Sequence, residues 1–344
     1  MQFGIFDHVD RNDRPLAKQL DERIAYINAA EDAGFYAYHV AEHHCSPINM
    51  VPVPGLFLTA AARETKRIRL GPLVYLLTLY SPLRMIEEVA LLDHLSHGRL
   101  ELGVGRGVSP FELNYHNVSY EESRDIFVEA CEILRKGLVS DRLTHKGKYY
   151  TYTDVPMELK SFQQPTPPFW YAASNPDSAR WSGEQGCHFV TLGAPASARA
   201  NIDGFKEGLK KRGGPETPKP EFSGNTAIGV HRQMFVAETD AEAKRIGKEF
   251  HDQHHHSLSK LRRENKEYPG FSRGAPSSFE NAVAERTIIY GSPETVRAEV
   301  ERQTHELGIN YFVGSFFFGN MKLEDSLRSL KLFTTEVMPK VAAL

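Results

Sequence analysis

Cysteine is scarce in this sequence. The chain has three cysteines, Cys45, Cys131 and Cys187, at spacings that match no common metal site. An odd number of thiols without metal spacing argues against a disulfide framework and against a structural zinc ion. The sequence also lacks an apolar run long enough to cross a membrane, and its first residues, MQFGIFDHVDRNDR, lack the basic start and apolar run of a signal peptide. We therefore expect a cytoplasmic protein without a membrane partner.

An excess of charge of either sign is also absent. The formal net charge is −3, with 41% hydrophobic and 25% charged residues, and no basic stripe runs along the chain. This composition is typical of a soluble globular protein and gives no reason to expect nucleic acid as a partner. The 344 residues exceed an ordinary domain, but α/β barrels routinely pass about 250 residues as one unit. We expect a single domain over residues 1–344.

The segment 67–107 carries the clearest structural signal. Its two apolar runs, at residues 68–79 and 100–104, flank a stretch in which apolar residues recur at helical spacing. That stretch begins after Ser81-Pro82, where a proline suits the first helical position, and ends at His97-Gly98. Strands that are apolar on both faces are typical of parallel sheets covered by helices. The segment is therefore predicted to form a strand, a helix and a strand.

The same alternation of strand and helix recurs along the chain. It predicts an α/β fold, a (β/α)8 TIM barrel with insertions. Alternating tyrosines within residues 143–164 predict a small hairpin, and residues 262–281, with prolines and glycines but little periodicity, predict a lid loop. The eight predicted strands cover residues 3–6, 36–41, 68–79, 100–104, 169–173, 189–192, 226–237 and 311–318.

In such a barrel the active site lies at the carboxyl ends of the strands. The residues expected there include few acids and many aromatic or apolar side chains. This balance favours a large planar or apolar ligand over a metal-dependent hydrolytic site, so no metal ion is expected. The residues in question are Asp7-His8, Glu42-His43-His44, residues 77–80, Arg106, Ser174-Asn175 and residues 316–318.

The sequence Glu42-His43-His44 follows the second predicted strand. Neighbouring strand residues point to opposite faces, so one imidazole is expected at the barrel mouth, where it can act as a general acid or base near neutral pH. A structural histidine paired with Glu42 fits the same pattern equally well. A zinc site on the adjacent histidines fits it less well.

Two further segments offer groups for an anion. The sequence Gly103-Val104-Gly105-Arg106-Gly107 allows close approach of the backbone and supplies a guanidinium for a phosphate or carboxylate. Its spacing differs from that of a dinucleotide fingerprint, which disfavours an NAD-binding Rossmann domain. The turn Ser174-Asn175-Pro176-Asp177-Ser178 can hold an anion at a helix N-terminus or can simply cap that helix.

Other patterns have a plain structural interpretation. Arg124, in the first turn of its predicted helix, is typical of a surface arginine. His251 and His255 share a helical face at a spacing that a metal could use, with His254 and His256 beside them, but a solvated polar face fits better. The phenylalanines at 316–318 could line a pocket for an apolar substrate, although aromatic strand residues usually belong to the core.

Several of these segments together resemble the bacterial-luciferase-like flavin monooxygenases, in particular the luciferase α-chain-like group. The matching motifs are FGIF, AEHH, RIRLGPLVYLL, SPLRMIEEVALLDHLSHGRLELGVGRG, ESRDIF and LKLFTTEVMP. They extend over nearly the whole chain, and their combination is specific although each motif alone is weak. Members of this family are (β/α)8 barrels that bind reduced FMN, and the resemblance implies the same fold and cofactor here.

The resemblance also implies site roles. The first histidine of the EHH motif supports oxygen chemistry on the flavin, two arginines and a Ser-Asn turn hold the flavin phosphate, and a non-prolyl cis peptide lies beneath the flavin ring. Gly105 replaces the luciferase cysteine beside that ring, and Ser174 replaces an acidic residue, so light emission is not implied. The implied catalytic residues are His43 and His44; the implied cofactor-binding residues are Leu73, Val74, Arg106, Arg124, Ser174, Asn175 and Ser178.

The activity implied by the resemblance is oxidation of a small organic substrate by O2 and reduced FMN through a flavin C4a-peroxide. Tyr75, Tyr80 and residues 316–318 suggest an apolar or aromatic substrate. Because no NAD-binding segment is visible, a separate flavin reductase is expected to supply FMNH2. Two alternatives are an F420-dependent oxidoreductase on the same barrel and a non-catalytic flavin-binding subunit. A homodimer packed through helices near residues 67–107 is implied by the resemblance alone.

Overall fold

Eight parallel strands surround the centre of the protein, and helices surround the strands. The structure, a computed structural model, describes residues 1–265, 268 and 278–343. The strands pair in the order β3-β2-β1-β12-β10-β9-β8-β5, and a bridge between Leu70 and Leu100 nearly closes the sheet into a barrel. The strands are β1 Gln2–Asp7, β2 Ala37–Val40, β3 Arg69–Pro72, β4 Tyr75–Leu76, β5 Leu102–Gly105, β6 Arg142–Lys146, β7 Thr151–Pro156, β8 Phe169–Ala173, β9 His188–Thr191, β10 Ile228–Val236, β11 Ile288–Gly291 and β12 Tyr311–Ser315.

The helices cover the outer face of the barrel. In the described part of the chain they are α1 Leu16–Asp32, α2 Pro54–Glu64, α3 Pro82–Leu95, α4 Pro110–Tyr115, α5 Ser123–Val139, α6 Pro176–Glu184, α7 Pro195–Arg212, α8 Asp240–Glu264, α9 Phe279–Ala284, α10 Pro293–Leu307, α11 Leu323–Leu332 and α12 Met338–Val341, with a π-helix at Phe333–Val337. None of these helices combines the length and apolar character that crossing a membrane requires.

The predicted strand, helix and strand within residues 67–107 are confirmed as β3, α3 and β5. Helix α3 begins at Pro82, buries an apolar face that includes Met85 and Val89, and is followed by Gly98 at a φ of 75°. This positive φ explains why a glycine ends the helical segment. The predicted strand at 68–79 is longer than the observed one, because the chain turns through a cis peptide at Leu73-Val74 before the short β4.

The eight predicted barrel strands are all present, with shorter bounds at several ends. The sequence prediction missed β11, which pairs with β10 in parallel from the Gln233–Ile288 pair onward and lies outside the barrel path. The sequence of β11, IIYG, favours a strand, but a run of four residues directly before α10 is too short to give a clear periodic signal. The strand predicted at 311–318 ends at Ser315.

The two predicted excursions differ in how far the structure describes them. Strands β6 and β7 pair antiparallel within the excursion predicted at 143–164. Of the lid loop predicted at 262–281, residues 262–264 continue α8 and residues 279–281 begin α9. Most of the remaining loop lies outside the described residues.

The apolar core has two layers. A large cluster fills the space between the strands and the surrounding helices. A smaller cluster fills the barrel interior and includes Leu73, Trp170 and Tyr311. Side chains plug the interior, and an open space lies where the strands end. The barrel thus has a packed centre and a cavity at its carboxyl end.

Candidate functional site

A cavity of about 800 Å³ lies at the carboxyl ends of the barrel strands. Apolar side chains such as Leu76, Val190 and Leu192 share its wall with charged and imidazole groups. Of the residues that the resemblance assigns to the site, His44 is absent from this wall. The assigned residues that do line the cavity are His43, Leu73, Val74, Arg106, Arg124, Ser174, Asn175 and Ser178.

His43 is held by a carboxylate from a distant part of the chain. Its Nδ1 lies 3.1 Å from Oε1 of Glu112 on α4, and the backbone N–H of His44 donates to the other oxygen at 3.1 Å. Burial raises the pKa of Glu112, but the charge of His43 and these hydrogen bonds outweigh burial and lower it overall. Glu112 is therefore ionised near neutral pH and orients the His43 ring.

His44 has a different environment. Its Nε2 lies 2.8 Å from Oε1 of Glu42, and its ring meets the ring of His116 edge-on at 4.6 Å. Glu42 also accepts hydrogen bonds from the backbone N–H of Leu76 and the hydroxyl of Tyr80, both at 2.9 Å. The structural histidine paired with Glu42, which the sequence left open, is thus His44, and the imidazole at the barrel mouth is His43.

Two arginines converge on one side of the cavity. The Arg106 guanidinium lies 5.0 Å from the Tyr120 ring centroid, with Nη1 3.4 Å from Oγ of Ser123. The Arg124 guanidinium lies 4.8 Å from the ring centroid of Trp181. Within the described residues, no carboxylate lies within 4.0 Å of either guanidinium. Arg124, read from sequence as a surface residue, thus contributes to a cationic wall that can take an anion.

The turn before α6 adds a helix N-terminus to this cationic wall. The Asn175 side chain accepts a hydrogen bond from the backbone N–H of Ser178 at 2.9 Å, so the capping interpretation is confirmed. Asp177 pairs with Arg180 at 2.9 Å. Ser174 and Asn175 are exposed on the rim of the cavity. The positive end of α6 therefore faces the same space as Arg106 and Arg124.

The floor of the cavity is formed at Leu73-Val74. This peptide is cis, as the resemblance implies. Gly105, at the end of β5, packs directly beneath Val74: a Cβ built on Gly105 would overlap Cγ2 of Val74. Val74 thus occupies the volume that a side chain at position 105 would need. This explains in packing terms why position 105 carries a glycine.

Sequence reasoning placed His8 and His43 at the strand ends but missed the other two imidazoles of the cavity, His231 and His254. His8 lines it, whereas the neighbouring Asp7 is buried behind it in an ion pair with Arg23 at 2.8 Å. His231 and His254 line it as well. The alternation along β10 does not show that His231 faces a ligand. His254 lies on the histidine-rich helix α8, and the sequence alone does not show that this helix borders the cavity.

The structure decides between several interpretations that the sequence left open. The aromatic residues that suggested an apolar substrate, Tyr75, Tyr80 and residues 316–318, are absent from the cavity wall. Residues 316–318 are buried in the core, as the structural interpretation has it, and Tyr75 donates to Glu88 at 2.8 Å. The solvated face that the sequence favoured for His251 is wrong, because this residue is buried with Nδ1 2.6 Å from Oε1 of Gln233.

In the part of the chain that the structure describes, no group of three or more His, Cys, Asp or Glu residues could hold a metal ion.

Comparison with known proteins gives consistent matches. The family model described as luciferase-like monooxygenase matches residues 1–311. An uncharacterised protein of Sinorhizobium fredii is 34% identical over 99% of this chain and 97% of its own length. The oxygenase component of a flavin-dependent trigonelline monooxygenase from Acinetobacter baylyi is 26% identical over 98% of this chain and 95% of its own length.

Solved structures share the fold at lower identity. The monooxygenase RslO1 from Streptomyces bottropensis has a TM-score of 0.87 at 24% identity over 99% of both chains. The oxygenating constituent of 3,6-diketocamphane monooxygenase from Pseudomonas putida, in complex with FMN, has a TM-score of 0.77 at 21% identity over 99% of this chain and 98% of that one. The coenzyme F420-dependent tetrahydromethanopterin reductase from Methanopyrus kandleri has a TM-score of 0.71 at 20% identity over 99% of both chains.

Proposed function

The chain belongs to the luciferase-like monooxygenase family, and on that premise we propose that it is the oxygenase component of a flavin-dependent monooxygenase using reduced FMN and O2. One observation carries the proposal. A single cavity joins the His43–Glu112 pair to two guanidiniums that have no carboxylate partner in the described chain. The name of the trigonelline relative, a flavin-dependent oxygenase component, supports the same activity.

The residues of the cavity fit FMN. This cofactor has a planar apolar ring system and an anionic phosphate, and the cavity offers one surface for each. Arg106, Arg124 and the N-terminus of α6 would hold the phosphate, with Ser174, Asn175 and Ser178 completing that subsite. The Leu73-Val74 peptide would support the ring. When bound, reduced FMN supplies the electrons for the activation of O2.

The chain's own contribution to the chemistry centres on His43. The ionised Glu112 fixes the orientation of the His43 ring and stabilises a proton on it, so His43 would hold or deliver a proton at the reacting edge of the flavin. Glu42 and His44 hold the end of β2 and the turn at Leu76 in place around it. Leu76 and Val190 supply apolar walls that limit the access of water.

The partners of the reaction follow from the same proposal. A separate reductase would supply FMNH2, which the words "oxygenase component" in the name of the trigonelline relative support. The other substrates would be O2 and a small organic molecule that enters at the barrel mouth. A homodimer and a cytoplasmic location remain predictions.

The cofactor proposal is tested by titrating the full-length protein with FMN, riboflavin and F420. We expect FMN to bind at least about tenfold more tightly than riboflavin, because only FMN carries the phosphate that the arginines can bind. The rate at which O2 reoxidises reduced FMN should change in the presence of the protein, and His43→Ala should alter that rate. Binding of F420 without FMN would instead favour the F420-dependent alternative, which shares the fold. Binding of FMN with no effect on reoxidation would favour a non-catalytic flavin-binding subunit.

A further inference from the structure

The cavity has two walls of different chemistry. In the strand order, β1 lies four places from β8 in either direction around the barrel, so the two strands are opposite each other. Arg106 and Ser174 follow β5 and β8, whereas His8 follows β1. His231 lies on β10, midway between β1 and β8, and its ring and that of His8 each lie 4.8 Å from the ring of Phe6. The phosphate subsite therefore lies opposite His8. We call His8, His231 and His254, which line the cavity around Phe6, the imidazole wall.

The imidazole wall contains a second histidine–carboxylate pair. Nδ1 of His254, on α8, lies 2.7 Å from Oδ2 of Asp10, whose side chain is fully buried and also accepts the backbone N–H of Gly319. Among the described residues, Asp10 has no lysine or arginine within 4.0 Å. Its buried Oδ1 has no hydrogen-bond partner there either. The Nδ1–H of His254 and the backbone N–H of Gly319 are therefore the two hydrogen bonds that the described residues give this carboxylate.

This pairing determines which ring nitrogen of a neutral His254 carries the proton. With its proton on Nδ1, a neutral imidazole carries a lone pair on Nε2. That atom makes no hydrogen bond with any described residue and is not sealed from solvent, and His254 lines the cavity. An accessible Nε2 backed by a buried carboxylate is the arrangement of a general base, because the carboxylate stabilises the imidazolium that forms.

His8 completes the imidazole wall. Its ring centroid lies 5.2 Å from that of His254 and 5.7 Å from that of His43, and it makes no hydrogen bond with the described residues. Burial, then the charges of His254, His43 and His231, hold the pKa of His8 well below its usual range. His8 is therefore neutral and has one N–H to donate to an oxygen placed beside Nε2 of His254.

The composition of the wall selects a class of substrate. The arginines of the cavity lie at the phosphate subsite, and burial lowers the pKa of His231 to about 3, so His231 carries no fixed charge. A carboxylate substrate would lack a permanent cation on this side. An acidic hydroxyl would find a base and a donor, while Phe6 and Leu258 offer apolar contacts for the carbon skeleton that bears it.

We propose that the Asp10–His254 pair is a second catalytic base, which removes the hydroxyl proton of a phenolic or enolic substrate. The O–H bond breaks, the proton goes to Nε2 of His254, and the electron pair stays on the substrate oxygen, which accepts the N–H of His8. Asp10 neutralises the imidazolium. The resulting oxyanion enriches the conjugated carbon in electrons, as oxygen insertion there requires. This inference rests on the proposed monooxygenase function.

Difference absorption spectroscopy with 4-nitrophenol tests this base directly. Full-length protein is mixed with the probe at a pH well below that of half-ionisation of the free probe, with saturating oxidised FMN in both cuvettes. We expect the wild-type protein to bind the probe as its coloured phenolate. The methyl ether 4-nitroanisole, which has no acidic proton, should bind at least about tenfold more weakly. His254→Gln and Asp10→Asn should each reduce the bound phenolate fraction about tenfold. His256→Gln, an exposed change on the same helix and outside the cavity, should match the wild type.

The possible outcomes separate the two proposals. If bound phenolate persists in His254→Gln, or if 4-nitrophenol and 4-nitroanisole bind equally well, the Asp10–His254 pair is not the base that removes the hydroxyl proton. Retained FMN binding shows that a variant is folded; where His254→Gln loses it, Asp10→Asn decides the question, because it changes the pair without removing a ring. A wild-type protein that ionises the probe but binds no FMN would overturn the flavin proposal and leave the base in place.

Discussion

Nδ1 of His43 lies 3.1 Å from Oε1 of Glu112, although 69 positions separate the two residues in the chain. The other oxygen of Glu112 accepts the backbone N–H of His44, so one carboxylate fixes both the ring and the backbone at the end of β2. Ser109 caps the short helix that carries Glu112, and the carboxylate lies beside the two histidines that follow β2. A local cap and a long-range hydrogen bond together orient the proposed proton-transfer group.

Glu112→Gln should lower stability in a pH-dependent way. The pKa of Glu112 is lower in the folded protein than its ordinary value of 4.5, so the ionised carboxylate stabilises the fold above that pH. This contribution is lost as the pH falls through the lower, folded pKa. We expect urea unfolding to show a loss of about 1 kcal/mol in the variant at neutral pH and a shrinking difference in acid.

An exposed glutamate provides the control for that experiment. Glu132 lies on the solvent side of α5, and Glu132→Gln should leave stability nearly unchanged at both pH values. If Glu112→Gln differed from the wild type by the same amount at neutral and acid pH, the loss would come from packing and not from the charge pair with His43.

Arg106→Met and Arg124→Met should each weaken FMN binding about 10- to 100-fold. Riboflavin binding should change little, because the lost group faces the phosphate. Fluorescence titration of both flavins measures the two affinities. Arg84→Met, which removes an arginine that is largely exposed on α3, serves as the matched control. Equal losses for FMN and riboflavin would mean that the arginines act on the ring or on the fold and not on the phosphate.

The barrel itself was predictable because its signals are local. Apolar runs, the Ser81-Pro82 start and the His97-Gly98 end lie within segment 67–107 and need no distant partner. The choice between His43 and His44 was not predictable, since it depends on Glu112, which reaches His43 only through the fold. The role of His254 was not predictable for the same reason, because its partner Asp10 follows β1, near the other end of the chain.

Gly105→Ala should destabilise the protein by about 1–3 kcal/mol, because the added Cβ overlaps Cγ2 of the β-branched Val74. The double variant Gly105→Ala with Val74→Ala removes that overlap and should recover part of the loss. Thermal unfolding of the two single variants and the double variant forms a complete cycle. Strictly additive effects would show that position 105 is limited by something other than Val74.

The predicted homodimer can be tested at two exposed leucines. Leu56 on α2 is 73% exposed and Leu91 on α3 is 51% exposed. These two helices pack against each other. They lie near residues 67–107, where the resemblance implies a dimer interface. If a dimer forms there, Leu56→Glu with Leu91→Glu should shift sedimentation towards the monomer. Val139→Glu, on α5, changes a residue that is 54% exposed, close to the value for Leu91, and should have no effect. A wild-type protein that sediments as a monomer would end this prediction.

Glu101→Gln should be among the most destabilising single changes in the chain. The fully buried carboxylate of Glu101 pairs with Arg69 and Lys219 and accepts the Tyr36 hydroxyl at 2.9 Å. Burial raises its pKa, but the charges of Arg69 and Lys219 outweigh burial and hold it well below its usual range. Removing the charge would leave two cations unpaired at the amino end of the barrel, at a cost of about 3–5 kcal/mol in urea unfolding.

A second substitution separates the charge imbalance from lost packing. Lys219 is 6% exposed at its side chain and Arg69 is 18% exposed, so Lys219 has less access to water once Glu101 is neutral. Adding Lys219→Met to Glu101→Gln removes the more buried unpaired cation and should restore part of the stability. If the double variant is no more stable than Glu101→Gln alone, the loss comes from the hydrogen bonds of Tyr36 and Trp170 to the carboxylate. Recovery would show that the carboxylate's main structural role is to neutralise the buried cations.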